Sequence, residues 1–111
     1  GVKVVPSSDA PYGPVSPWQN IATAACRRSA GGLSLGADEC VSADQALIGY
    51  LTPSALLDQS LTSAQAQEVC SGMRGDLCIL QKRWEQGRDR PGTVGVRATL
   101  IGGSVAFDGA D

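Results

Sequence analysis

The sequence predicts an α+β fold: three or four short helices packed on a small antiparallel sheet with a C-terminal β-hairpin, held by two disulfides. Three observations predict it. Polar N-cap residues with glutamine three positions later open helical patterns through the first two-thirds of the chain. A period-two alternation from Thr93 to Ile101 then runs into Gly102-Gly103, the composition of a two-residue hairpin turn. Four cysteines, an even number, stand in a chain without histidine.

At 111 residues the chain has the length of one domain and can bury one hydrophobic core. Apolar residues make up 42% and charged residues 18%, a composition that excludes disordered and fibrous classes. The longest uncharged stretches, Ala10 to Cys26 and Gln45 to Leu57, are interrupted by Pro, Gln, Gly and Ser, so no membrane span is expected. Residues 1–17 read as an extended, proline-rich N-terminal arm and residues 18–111 as a single α+β domain. In the arm, Gly1 to Val5 suit a short edge strand. Pro6, Pro11, Pro14 and Pro17 then fix φ and remove amide donors.

Ser16 as N-cap, Pro17 at the first helical position and Gln19 predict a capped helix whose apolar face is Trp18, Ile21, Ala22, Ala25 and Cys26. Arg27 and Arg28 suit its last turn, and Gly31-Gly32 its stop. Leu33 and Leu35 lie in a loop that suits a turn or a short strand. Ser42 with Gln45 opens a second helix through Ala46, Leu47, Ile48 and Leu51. Thr52-Pro53 restarts a short one through Ala55, Leu56 and Leu57. Thr62 with Gln65 opens another, with Ala66, Val69, Cys70 and Met73 on one face. Beyond Gly75, Leu77 to Trp84 suits a strand or a helix, and strand is favoured because Cys78, Ile79 and Trp84 are poor helix formers. Glu85 to Gly92 reads as a charged loop. In the following strand Val94, Val96, Ala98 and Leu100 point one way, and Ser104 to Phe107 returns as its partner.

The cysteines, Cys26, Cys40, Cys70 and Cys78, are separated by 13, 29 and 7 residues and contain no CxxC pair. With no histidine, the usual zinc sets are excluded, and no metal or other cofactor is expected. Disulfides imply an oxidising compartment, so the chain is expected to be secreted, extracellular or periplasmic, with its leader already removed. Three pairings are open. The local one, Cys26–Cys40 with Cys70–Cys78, is preferred because each bridge would pin a helix end to its following loop.

Candidate contact residues follow from the same region. Bridging Cys70 to Cys78 would present Arg74-Gly75-Asp76 in a closed loop, and with Leu77 and Leu80 this resembles the Arg-Gly-Asp-Leu-x-x-Leu element by which some extracellular ligands engage integrins. The resemblance implies an exposed carboxylate that completes a receptor-held cation's oxygen shell, with a guanidinium beside it. The same residues also read as a helix C-terminus ended by Gly72 and Gly75, and that reading is favoured. From Arg74 to Arg97 six basic residues face three acidic ones, so Lys82, Arg83 and Trp84 join Arg74, Gly75, Asp76 and Leu77 as a possible protein-binding surface.

Catalytic chemistry finds little footing. Without histidine, Ser-His and Cys-His nucleophiles are unavailable. Asp38 and Glu39 are sequence neighbours that point apart on any regular element, and Asp108 and Asp111 fall in the tail. Only a pair assembled from distant segments, such as Asp44 with Asp76, would serve. No phosphate-binding glycine loop occurs, and one aromatic among the basic residues of an acidic chain does not suit nucleic acid. The expectation is therefore a small, non-enzymatic binding protein (effector-, toxin- or inhibitor-like) with a protein partner. The alternatives are a structural subunit of a surface assembly using the N-terminal arm and, lower, a carboxylate hydrolase.

Overall fold

Apolar residues recurring at three and four wind Pro17–Cys26 into helix α1, seen in a computed structural model that describes residues 5–51 and 69–109. The expected helices at Thr52-Pro53 and Thr62 lie outside the described residues, as do residues 1–4 of the expected edge strand. Pro17 takes the first helical position, where its missing N–H leaves no bond unmade. Ser16 has extended backbone but makes no side-chain cap bond, so the expected box with Gln19 is not formed. Ile21 is 1% exposed, the one buried hydrophobic side chain of the core among the described residues besides Pro91 in its turn.

The helix ends at Cys26, well before Gly31-Gly32. Arg27 adopts the left-handed conformation at φ 49° while its N–H still bonds the Thr23 carbonyl at 2.7 Å. That conformation costs a non-glycine residue about 1–2 kcal/mol, and the arginine's own side chain offsets it. Its Nε donates to the Leu35 carbonyl at 2.9 Å, and its Nη2 meets Glu39 Oε2 at 2.6 Å. The two glycines instead form the tip of a small hairpin, with Arg28 bridged to Ser34 and Gly32 at φ 80°. A 3-10 turn, Ala37–Glu39, then leads to α2, Ala43–Leu51. Its capping box is complete: Gln45 N donates to Ser42 Oγ at 3.1 Å, and Ser42 N to Gln45 Oε1 at 2.9 Å.

Val69 to Met73 are not helical. Cys70 to Met73 form a turn with Gly72 at φ 90°, a conformation that a helix cannot continue through. The sheet follows in the order β1-β2-β3, all antiparallel: β1 Leu77–Leu80, β2 Val96–Ile101, β3 Ser104–Asp108. Cys78 and Phe107 both lie opposite Thr99, and Leu77 and Val105 both lie opposite Leu100. Gly102 and Gly103, at φ 57° and 82°, make the expected two-residue turn.

Trp84 corrects the expected strand from Leu77 to Trp84. The strand stops at Leu80, and Trp84–Gly87 is a single helical turn, α3, followed by a 3-10 turn at Pro91–Thr93 where a loop was expected. That turn delays β2 to Val96. Among the described residues α1 packs chiefly on α2 and on the 91–93 turn.

No two of the four cysteines stand at disulfide distance, so neither expected bridge is seen. All four cysteines are free and exposed. Cys26 turns its thiol back along its helix, 3.9 Å from the Thr23 carbonyl oxygen, and Cys78 is fixed within β1 while Cys70 precedes the turn.

Candidate functional site

The fold uses the Arg74-Gly75-Asp76 group internally. Gly75 accepts the Gly103 N–H at 2.8 Å, and Asp76 Oδ1 accepts the Gly102 N–H at 2.7 Å, so the segment entering β1 is stitched to the β2–β3 turn. The other carboxylate oxygen of Asp76 meets Arg74 Nε at 2.8 Å. A Cβ on residue 75 would lie 2.7 Å from Gly103 N, so this close approach requires glycine. Arg74 and Asp76 thus pair with each other rather than standing apart for a receptor, while Leu77 is half-buried beside them.

Trp84 is likewise occupied. Its indole N–H donates to Asp44 Oδ1 at 2.5 Å, Arg88 Nη1 meets Asp44 Oδ2 at 3.3 Å, and its ring packs 6.2 Å from that of Trp18. Asp44 lies in the first turn of α2, where the helix dipole favours a negative charge. This cluster ties α1 and α2 to α3. Sequence reasoning missed it because its members are far apart in the chain: Asp44 and Trp84 are separated by 40 residues. Asp44 and Asp76, the example of a distant carboxylate pair, are committed to separate bonds within the fold.

Lys82 and Arg83 remain exposed. Arg27, Arg74, Arg88 and Arg97 each hold a carboxylate, whereas Lys82, Arg83 and Arg90 have none among the described residues. Lys82 and Arg83 border a recess of about 150 Å³ with Trp84, Gly87 and Val94, below the roughly 300 Å³ at which small-molecule pockets begin.

A larger groove of about 500 Å³ lies between α1, α2 and the arm, lined by Pro6, Ile21, Ala24, Val41, Ala46 and Tyr50. The Tyr50 hydroxyl is buried beside it without a hydrogen-bond partner. Arg27 is the one charged residue of its lining and is already paired with Glu39. Asn20 donates to the Pro14 carbonyl and Thr23 to the Gln19 carbonyl. The groove offers apolar surface and no acid–base pair. Among the described residues, no cluster of three cysteines or carboxylates is placed to hold a metal ion, and no helix is long and apolar enough to cross a membrane.

The sheet presents apolar surface as well. Ile79, Ile101, Val105 and Phe107 are 46, 56, 64 and 51% exposed. Cys78, Thr99 and Phe107 are register partners across the three strands, and the β2–β3 register shifts between Thr99 and Leu100. Partial desolvation on this strand pushes the Cys78 thiol pKa above its ordinary value. No protein-family model matches the chain, and neither a curated protein nor a solved structure is found to be similar to it.

Proposed function

We propose that this chain is a small, secreted, disulfide-stabilised binding protein that acts by surface contact rather than by chemistry, in the manner of an effector, toxin or inhibitor. The observation that carries the reading is the exposure of Ile101 and Phe107 on neighbouring strands of the sheet, at 56 and 51%. Clustered large apolar side chains in water are a recurrent mark of protein interaction sites. Lys82, Arg83 and Arg90, with no described carboxylate to neutralise them, favour a partner with acidic character. The engagement of Asp44 and Asp76 in structural bonds supports the non-enzymatic side of the proposal.

The assembly-subunit alternative has less support. Pro6 already lies against α2, with its ring 3.1 Å from where a side chain on Gly49 would begin, so this part of the arm is packed in cis.

The test is a paired substitution, Ile101→Lys with Phe107→Lys, compared with wild type by far-UV circular dichroism, thermal unfolding and photo-crosslinked partner capture. The expected result is a folded variant that loses the partner captured by wild type. A variant that no longer unfolds cooperatively would show that this surface is part of the core, and the proposal would fall. Retained capture by a folded variant would overturn it as well.

A further inference from the structure

The segment from Arg27 to Glu39 leaves the end of α1 and returns to it. Three contacts close this strap: Leu35 N to the Arg27 carbonyl at 2.8 Å, Arg27 Nη2 to Glu39 Oε2 at 2.6 Å, and Val41 N to the Ala24 carbonyl at 3.5 Å. Cys26 and Cys40 fall between them. Each cysteine adjoins one member of the Arg27–Glu39 ion pair, and on the other side Ala24 and Val41 are joined through the backbone. The two cysteines are thus bracketed by contacts that already bring their chain segments together. Both thiols are exposed, and the one contact made by Cys26 is the long, weak one to the Thr23 carbonyl at 3.9 Å.

We infer that Cys26 and Cys40 form a disulfide that locks the 27–39 strap to the end of α1. This deepens the disulfide-stabilised reading above by assigning the bridge, and it stands whether or not the sheet surface binds a partner. The chemistry is thiol–disulfide exchange with a small disulfide oxidant of the glutathione class. One protein thiolate attacks the oxidant, forming a mixed disulfide and releasing one reduced thiol. The second protein thiolate then attacks that mixed disulfide and releases the other. Two protein thiols are oxidised, one oxidant disulfide is reduced to two thiols, and the protons pass to the released thiolates.

Cys70 and Cys78 have no such bracket. Cys78 is held in the ladder opposite Thr99, and the described bonds joining Gly75 and Asp76 to distant residues lead to the β2–β3 turn, while Cys70 accepts the local bond from Met73 N at 3.3 Å. The raised pKa of the Cys78 thiol also lowers its thiolate fraction near neutral pH.

The experiment oxidises the full chain with oxidised and reduced glutathione under native conditions, quenches with acid, alkylates free thiols and cleaves after glutamate. Glu39, Glu68 and Glu85 then divide the cysteines into fragments 1–39, 40–68 and 69–85. The expected product joins 1–39 to 40–68. Joining of either fragment to 69–85, or four alkylated cysteines in buffer that oxidises a control dithiol protein, would overturn the assignment. Oxidation should raise the Tm of the wild type by roughly 10 °C and leave Cys26→Ser and Cys40→Ser unchanged. An equal rise in those variants would also sink the inference.

Discussion

The indole N–H of Trp84 donates to the carboxylate of Asp44 at 2.5 Å, joining residues 40 apart in sequence. Through this bond the first turn of α2 holds α3, and the Trp18 ring packs against the same indole from α1. With Ile21 and Pro91 the buried side chains described, such polar ties carry an unusual share of the tertiary order.

Trp84→Phe should therefore destabilise the fold by about 1–2 kcal/mol, the range for a hydrogen bond to a charged group that is partly exposed. Asp44→Asn should cost a similar amount, because it removes both the charged acceptor and a favourable charge at a helix N-terminus. Arg88→Ala should cost under about 1 kcal/mol, since its ion pair is half-exposed. Urea unfolding of the two single variants and the double variant checks this. Additive effects of Trp84→Phe and Asp44→Asn would show that the two side chains are not coupled.

Gly75→Ala should cost roughly 1–3 kcal/mol, the range for an overpacked site, because its new methyl meets the Gly103 backbone. Asp76→Ala should loosen the same turn by freeing the Gly102 N–H. Amide hydrogen exchange at Gly102 and Gly103 reports both, and unchanged protection in Asp76→Ala would count against the stitch.

The two helix starts should answer differently to the same substitution. Ser42→Ala removes a formed capping box and should cost about 1 kcal/mol. Ser16→Ala removes a side chain that makes no cap bond and should be nearly neutral. Thermal unfolding of the two variants decides it, and equal losses would contradict the geometry.

Cys78 should be the slowest of the four thiols to react with iodoacetamide in the reduced protein near pH 8. Its raised pKa leaves less thiolate than at an unperturbed cysteine, so its rate should climb at a higher pH than that of a free thiol. The linked stability effect has the same sign. Because the native state holds this proton more tightly than the unfolded chain does, stability is full below the unfolded thiol's pKa and falls as pH rises through the native one. Alkylation followed by peptide mapping over a pH series measures the order. A Cys78 that reacts as fast as Cys26 would refute it.

The sequence by itself determined the elements whose causes are local. Ser42 and Gln45 cap α2 because both partners lie within one helical turn, and Gly102-Gly103 turns the hairpin because both residues must take positive φ. The alternation of Val96, Ala98 and Leu100 likewise fixed a strand and its half-buried side. Tertiary structure alone decided where α1 ends, what Trp84 does and how Asp76 is used. Arg27 leaves the helix to reach Leu35 and Glu39, Trp84 turns toward Asp44, and Asp76 binds an amide 26 residues away. Each of these rests on a partner distant in the chain, and neither periodicity nor capping chemistry carries information about which distant polar group will be nearby.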